Sequence, residues 1–213
     1  LVKMGFAPLR AREEIDKGTS LANKALDIAV SKRPVLFKRD PILHKFGIMA
    51  FRPKLHNKMS IQIHPLVTGG FNADFDGDQM GVFVPVSQEA VEEAYRMLPS
   101  KNLFNPATGK VMYQPSLAGQ LGIFLLTTMG KAKSGSYEKH EDVVKAYNAG
   151  TLNPTDVVSV GGKKTTAGRI LLYNALPKEM RNDSVLTDPG AVMSKKNLQE
   201  VLRKIATEHP GAF

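Results

Sequence analysis

Asn72-Ala73-Asp74-Phe75-Asp76-Gly77-Asp78-Gln79-Met80 places three carboxylates at alternate positions, with a glycine between the last two. Side chains two residues apart point to the same face of an extended chain, and glycine adopts backbone angles that other residues avoid. The segment can therefore curl until its carboxylates converge. Converging carboxylates repel one another and need a compensating cation. An all-oxygen cluster suits a hard divalent cation, and we predict Mg²⁺.

An ordinary solvated turn or a calcium loop of the EF-hand type could also contain an acidic stretch of this kind. Asp and Gly are common in turns. Apolar runs at 61–67 and 80–86 flank this one, however, and predict a loop held between two strands. An EF-hand needs glycine at its sixth position and glutamate at its twelfth. Counted from Asp74, these positions are Gln79 and Pro85, which excludes the calcium loop.

The composition indicates a globular chain with a polyanionic partner. Of its 213 residues, 42% are hydrophobic and 23% are charged, and the formal net charge is +9. A basic surround with one acidic, metal-loaded pocket suits phosphate chemistry. The absence of cysteine excludes a disulfide framework and zinc sites built on thiolates. Basic side chains crowd one segment: Lys32, Arg33, Lys38, Arg39, Lys45, Arg52, Lys54 and Lys58.

The sequence gives no sign of a membrane partner. Its densest apolar run, from Leu121 to Thr128, is far too short to span a bilayer. No signal-peptide pattern opens the sequence, so we expect a cytoplasmic location. The first residue is Leu1 rather than Met, and we therefore expect an internal piece of a longer polypeptide.

Patterning predicts an α+β fold. Residues 9–32 should form a helix in two pieces, broken at Gly18, with Thr19 or Ser20 capping the second piece. Short apolar or alternating runs then indicate a small β unit of barrel or sandwich type. The predicted strands are 34–37, 48–51, 59–63 and 81–84, and a helix at 88–98, opened by Ser87, follows them.

The downstream part is predicted to be mainly helical. An apolar helix at 116–129 contains small residues that suggest close packing, so we expect it to be buried. The stretch 131–136 is the best candidate linker. Beyond it we predict helices at 139–148, 166–175 and 194–208, with short strands near 156–160.

The acidic stretch and its flanks resemble the active-site region of the largest subunit, β′ in bacteria, of multi-subunit DNA-directed RNA polymerase. All nine positions of the stretch match, and the flanking matches come in the right order. The resemblance covers nearly the whole chain, is strongest from about 34 to 128, and favours the bacterial branch. The flanking segments that match are 34–48, 61–67, 84–87 and 168–172.

This resemblance implies a site as well as a fold. It implies that the acidic loop sits on a double-psi β-barrel and that Asp74, Asp76 and Asp78 hold a catalytic Mg²⁺. It also places Arg39 and Asn72 beside the sugar of the incoming nucleotide, where they would favour ribose over deoxyribose. A site built from such donors and acceptors penalises a missing hydroxyl.

The resemblance further implies a reaction and its partners. An RNA 3′ hydroxyl would attack the α-phosphorus of a nucleoside triphosphate, an in-line displacement that suits two metal ions. The implied partners are the β and other core subunits, the DNA template, the RNA transcript and the nucleoside triphosphates. We expect activity only in the complete assembly, in the cytoplasm at the nucleoid.

The implied division of the chain has four parts. Residues 1–33 would be a helical lead-in and 34–112 the β-barrel active-site region. Residues 113–130 would be the buried helix, and 131–213 a mainly helical, pore-like region.

Some positions depart from the family pattern. Asp40 stands where the family usually has a small residue, and it can pair with the neighbouring Arg39. Leu117-Ala118 replaces a usual Gln-Asp pair, so no nucleotide contact is assigned there. Of the five histidines none is assigned a catalytic role, and His44 and His64 are predicted to be structural.

Two further hypotheses remain open. A single-chain two-barrel RNA polymerase carries a related acidic loop but lacks the matching flank at 34–48. A basic nucleic-acid-binding module could hold only a structural metal with the same acids.

Overall fold

Helices and short strands alternate through residues 1–130, 133–188 and 191–212, the parts of the chain that the computed structural model describes. The architecture is α+β, as predicted. The described strands form two open sheets of three strands each, and no closed barrel is found among these residues. The chain divides into two units, Leu1–Asn102 and Leu103–Phe213. No described helix is both long enough and apolar enough to cross a membrane.

The first unit begins with a short 3-10 turn at Val2–Met4, and two helices follow it, α1 (Pro8–Asp16) and α2 (Ser20–Ser31). The predicted break between them is confirmed, and the predicted cap of α2 is Thr19, whose hydroxyl accepts a hydrogen bond from the Ala22 amide at 3.2 Å. Such a bond satisfies one of the amides that a helix start leaves unpaired.

An antiparallel sheet follows, in the order β2-β1-β3. Strand β1 (Val35–Lys38) lies between β2 (Ile48–Phe51) and β3 (Gly81–Phe83). Lys38, at the end of β1, stands opposite Gly81 at the start of β3. This register brings the residue after β1 close to the residues that precede β3.

The predicted strand at 59–63 is wrong for the described residues, because this stretch has no regular structure. A strand needs a hydrogen-bonded neighbour, and no described strand pairs with this stretch. In its place the chain makes a short turn at Pro65–Val67 and a single helical turn, α3 (Thr68–Phe71). The acidic stretch is thus held between a helical turn and β3, and only its second flank is a strand.

Aromatic packing holds α3 against the sheet. The Phe51 ring lies 5.3 Å from the Phe37 ring and 6.0 Å from the Phe71 ring, measured between centroids. Helix α4 (Gln88–Arg96) is capped by Ser87, as predicted, and the Met97 carbonyl just beyond it accepts a hydrogen bond from the Ala50 amide at 3.2 Å. The buried side chains of this unit include Val35, Phe46, Met49, Ala50, Val67, Phe71, Val91 and Ala94.

The second unit builds its own sheet, in the order β4-β5-β6. Strands β4 and β5 are parallel and connected through a helix, while β5 and β6 are antiparallel. The candidate linker is thereby corrected: residues 131–132 lie outside the described residues, and 133–136 belong to β4. The elements are α5 (Leu117–Thr127), β4 (Lys133–Tyr137), α6 (His140–Asn148), β5 (Val157–Val160), β6 (Lys163–Thr166), α7 (Ala167–Ala175), α8 (Asp183–Thr187) and α9 (Lys195–Glu208).

A fully buried arginine ties three elements of this unit together. Arg169, in α7, donates from Nε to the Thr127 carbonyl at 2.9 Å, and from Nη1 to the carbonyls of Leu186 at 3.3 Å and Asp188 at 2.7 Å. Burial lowers the pKa of Arg169, an effect that the charge of Asp188 opposes. The neighbouring Gly168 is required by a close approach, because a Cβ there would lie 2.0 Å from the Leu126 carbonyl oxygen.

Helix α5 is present but is not buried as expected. Several of its apolar side chains are exposed, and Thr127 is its buried residue. The apolar sequence pattern predicts that these side chains are covered, but the described residues leave them exposed. The exposed side chains are Leu117 at 80%, Leu121 at 58%, Phe124 at 41% and Leu125 at 49%.

Candidate metal centre

A left-handed residue aims the chain into the acidic stretch. Helix α3 ends at Phe71, and Asn72 takes φ 50° and ψ 44°. The next amide, of Ala73, donates to the Thr68 carbonyl at 3.0 Å and closes the turn. Asparagine is one of the few residues that visit this region routinely. The sequence therefore places at position 72 a residue suited to reversing the chain.

The loop then closes upon itself. Gly77 has φ 121°, which an L side chain rarely adopts. The Asp74 amide donates to Asp78 Oδ2 at 3.1 Å. The curl brings one carboxylate oxygen from each of Asp74, Asp76 and Asp78 within 4.8 Å of the others. The alternation of acids and the glycine predicts this convergence from the sequence.

Arg39, the residue after β1, reaches the same cluster. Its Nε lies 2.8 Å from Asp78 Oδ2, and its Nη2 donates to Asp78 Oδ1 at 3.0 Å. Its backbone amide donates to the Gly47 carbonyl at 3.2 Å. The side chains of Arg39 and Asp78 are only 19% and 21% exposed. The two-point geometry is the strong form of an arginine–carboxylate pair.

Sequence reasoning missed the pair between Arg39 and Asp78. It considered Asp40 as the partner of Arg39, but Asp40 instead pairs with Lys38, at 3.0 Å between Nζ and Oδ2. The signal that would have found the true pair is the register of β1 with β3, since Lys38 opposite Gly81 places Arg39 near the end of the loop.

The charges of the cluster shift its pKa values in opposite directions. A hydrogen bond with the Asp76 carboxyl group, then partial desolvation and the charges of Asp76 and Asp78, raise the pKa of Asp74. The hydrogen bond from Arg39, and then the Asp74 amide, lower the pKa of Asp78. The same bond to Asp78 raises the pKa of Arg39. Asp74 therefore holds a proton more readily than an isolated aspartate does, while Asp78 gives one up more readily.

Two open hollows flank the loop and share the residues from Gly77 to Met80. One, of about 940 Å³, lies between the loop and the irregular stretch 59–63, and Asp74 and Phe75 line it. The other, of about 500 Å³, is lined also by Lys38, Arg39 and Asp40. Asp78 thus lines both spaces and Asp74 lines the larger one, and a ligand could lie in either.

The donor set fits a hard divalent cation. All three groups are carboxylates, and Asp74 and Asp76 are exposed. Mg²⁺ takes oxygen ligands at about 2.1 Å, so opposite ligands lie about 4.2 Å apart. A limit of 4.8 Å between the oxygens is close to that span. The three carboxylates therefore suit a single ion of this kind.

Asn72 is placed near the cluster in sequence but not bonded to it. Its side chain is exposed, and among the described residues it makes no hydrogen bond to the triad or to Arg39. The structure thus brings Asp74, Asp76, Asp78 and Arg39 together, and sets Asn72 at the turn that leads to them.

Two histidines have the predicted structural character. His44 Nδ1 accepts a hydrogen bond from the Phe46 amide at 3.2 Å, and His64 Nδ1 accepts one from the Leu66 amide at 3.1 Å. Each side chain opens a short helical turn.

Comparisons with known proteins agree on one family. Residues 6–99 match the family described as RNA polymerase Rpb1, domain 2. A relative named DNA-directed RNA polymerase subunit beta′, from Bdellovibrio bacteriovorus, is 37% identical over 92% of this chain and 14% of its own length. Relatives of that name from Tropheryma whipplei and Borreliella burgdorferi are 37% and 40% identical over 96% and 79% of this chain. The chain spans only 18% and 13% of the length of those two.

Proposed function

The chain belongs to the family of β′ subunits of DNA-directed RNA polymerase, and from this premise we propose that it carries the metal end of the polymerase active site. Residues 34–112 are the active-site region in this proposal, and the bound metal is Mg²⁺. The observation that carries the proposal is the convergence of Asp74, Asp76 and Asp78, with their oxygens within 4.8 Å of one another.

The reaction proposed is transfer of a ribonucleoside monophosphate from a nucleoside triphosphate to an RNA 3′ end, in which the 3′ oxygen bonds to the α-phosphorus and pyrophosphate leaves. When bound, Mg²⁺ supplies a Lewis acid that lowers the pKa of the attacking hydroxyl and neutralises charge on the phosphate. The chain's own part is to hold three carboxylates on one short loop. Asp78 is fixed by Arg39 and by the Asp74 amide, so one ligand is oriented before the metal arrives.

Arg39 and Asn72 are proposed to form hydrogen bonds with a hydroxyl of the nucleotide sugar. Arg39 lines the hollow of about 500 Å³ beside the loop, and its guanidinium offers more donors than its two bonds to Asp78 use. Asn72 offers both a donor and an acceptor. A site whose polar groups pair with a hydroxyl disfavours a substrate that lacks it.

The finer architecture is also part of the proposal. We infer that β1, β2 and β3 belong to a double-psi barrel that needs further strands, with residues 1–33 leading into it. The helix at 113–130 and the region 131–213 would then be covered or extended by other parts of the assembly. The exposed apolar side chains of α5 support this inference.

The proposed partners are the β and other core subunits, the DNA template, the RNA transcript and the nucleoside triphosphates. The net charge of +9 supports binding to phosphate backbones, with a steep dependence on salt. The proposed location is the cytoplasm, at the nucleoid.

The test is Asp76→Ala in the reconstituted polymerase assembly. We expect Mg²⁺-dependent nucleotide incorporation to fall by about a thousandfold or more, because several kcal/mol of charge stabilisation is lost. Asp27→Ala, which removes an exposed carboxylate from α2, is the matched control and should retain full activity. Retained activity of Asp76→Ala would contradict the proposal and favour a nucleic-acid-binding module with a structural metal.

A second test concerns the chain by itself. We propose that it is active only within the assembly, since the open three-stranded sheet that precedes and follows the acidic loop does not enclose a template. Template-directed synthesis by the purified chain would contradict this and favour a single-chain polymerase.

A further inference from the structure

Asp78 is the most heavily engaged carboxylate of the triad. Arg39 donates to both of its oxygens, at 2.8 and 3.0 Å, and the Asp74 amide donates to Oδ2 at 3.1 Å. A carboxylate offers about four acceptor positions. Three are therefore taken before any cation approaches, and two of those three are taken by a positive charge.

Arg39 has room to leave Asp78 without a change of backbone. Its amide is fixed to the Gly47 carbonyl at 3.2 Å, so its Cα stays in place. Its side chain borders an open hollow of about 500 Å³. Rotation about side-chain bonds is enough to carry the guanidinium from Asp78 into that hollow.

We propose that Arg39 is a resident counter-ion which a divalent cation displaces from Asp78. Binding of the cation then turns the guanidinium towards the hollow, where the nucleotide sugar would lie. The inference rests on the proposed function, because it assigns the triad to a metal. Metal binding and the release of Arg39 from Asp78 are then thermodynamically linked, so each of the two favours the other.

Arg39 affects the affinity of the triad for a metal in two opposing ways. By holding Asp78 in one rotamer, Arg39 removes an ordering cost that is worth a few-fold in affinity. By placing a unit charge within a few ångströms of a dication, it lowers the affinity by roughly tenfold, even with the full dielectric of water. The exchange of two hydrogen bonds adds to the second effect. Repulsion is therefore the larger of the two.

The experiment measures Mn²⁺ binding to the full chain at pH 8, from the electron paramagnetic resonance signal of free Mn²⁺. We expect Arg39→Gln to bind Mn²⁺ about five- to tenfold more tightly than the unaltered chain. Arg39→Lys, which keeps the charge but not the two-point geometry, should fall between them. Lys38→Gln is the matched control, since Lys38 pairs with Asp40, and it should change the affinity by less than about twofold.

Three results would overturn the inference. The first is that Arg39→Gln binds Mn²⁺ no more tightly than the unaltered chain, and the second is that neither chain binds it. The third is that Lys38→Gln tightens Mn²⁺ binding as much as Arg39→Gln does. A second readout is the Arg39 Nε–H resonance, which should shift when Mg²⁺ is added and would stay in place if Arg39 remained on Asp78.

Asp76→Ala separates this inference from the proposed function. If that variant binds Mn²⁺ as tightly as the unaltered chain, the triad is not the metal site and both ideas fail. If it abolishes binding while Arg39→Gln changes nothing, only the counter-ion role fails.

Discussion

Arg39 and Asp78 form a two-point ion pair that joins the end of β1 to the last acid of the loop, with Nε–Oδ2 and Nη2–Oδ1 distances of 2.8 and 3.0 Å. Lys38 opposite Gly81 sets the strand register that makes this pair possible. The candidate nucleotide contact is thus also paired with one of the candidate metal ligands.

Arg39→Lys should reduce the preference for ribose in the assembled enzyme. Lysine keeps the charge but loses the planar array of donors. We expect the ratio of kcat/KM for ribonucleotide over deoxyribonucleotide to fall by roughly tenfold, the worth of one hydrogen bond to a hydroxyl. Single-nucleotide extension with matched triphosphates measures this ratio. An unchanged ratio with a reduced overall rate would show that Arg39 does not read the sugar.

Asn72→Ala and Asn72→Gly should separate a backbone role from a side-chain role. Position 72 has φ 50°, which costs alanine about 1 kcal/mol and glycine almost nothing. We therefore expect Asn72→Ala to lower the free energy of unfolding by about 1 kcal/mol. Asn72→Gly should change it by no more than about 0.5 kcal/mol, a loss that comes from the greater entropy of glycine in the unfolded chain. Urea denaturation measures both.

The same two variants, placed in the assembly, test the role of the Asn72 side-chain amide. Both lack it, so both should lose ribose preference to the same extent. A loss confined to Asn72→Ala would assign the effect to the backbone.

Asp74→Asn and Asp78→Asn should have opposite effects on thermal stability at pH 7.5 without divalent cations. The pKa of Asp74 is raised, so its contribution to stability is full below about pH 3.9 and is lost as the pH rises through the raised value. The pKa of Asp78 is lowered, so its contribution is present above about pH 3.9 and is lost as the pH falls through the lowered value. Asp74→Asn should therefore raise Tm, and Asp78→Asn should lower it.

Melting curves in EDTA measure these two shifts, and added Mg²⁺ supplies the control. With the metal, the unaltered chain should gain stability that Asp74→Asn does not gain. Shifts of the same sign in EDTA would contradict the charge arrangement described for the triad.

Arg169→Met should destabilise the second unit by about 3 kcal/mol. The side chain is fully buried and donates to three backbone carbonyls, and methionine fills similar space without donors. Each carbonyl left without its partner costs about 1 kcal/mol or more. Arg203→Met, at an exposed position of α9, is the control and should stay within about 0.5 kcal/mol. Equal effects of the two in urea denaturation would contradict the role of Arg169.

Gly168→Ala and Gly122→Ala should also differ in sign. A Cβ at 168 would lie 2.0 Å from the Leu126 carbonyl oxygen, whereas a Cβ at 122 meets nothing within 4 Å. We expect Gly168→Ala to cost about 2 kcal/mol or more through overpacking. Gly122→Ala, inside α5, should add up to about 1 kcal/mol because alanine is the better helix former. Thermal and urea denaturation of both variants check the contrast.

Local features of this chain could be predicted, and features that depend on distant pairing could not. The curl of the acidic loop follows from residues 74–78 alone, and the caps at Thr19 and Ser87 follow from single side chains beside helical patterns. The partner of Arg39 depends on the pairing of β1 with β3, which local spacing does not reveal.

The two clearest errors have the same origin. The stretch 133–136 has the composition of a linker, yet it gains strand structure by pairing with β5 across a helical crossover. The stretch 59–63 has the pattern of a strand, yet no described strand pairs with it. Helix α5 illustrates the same limit. Its apolar pattern predicts that it is buried but does not identify the residues that would cover it.

The three acids and their counter-ion are connected through very different lengths of chain. Asp74 and Asp78 are four residues apart, whereas Arg39 and Asp78 are separated by 39. The entropy lost in closing the longer connection exceeds that of the shorter by about 2 kcal/mol. Loosening of the sheet would therefore part Arg39 from the loop while the acids remained together. Under heat or denaturant, the proposed metal site should therefore outlast the proposed contact between Arg39 and the sugar.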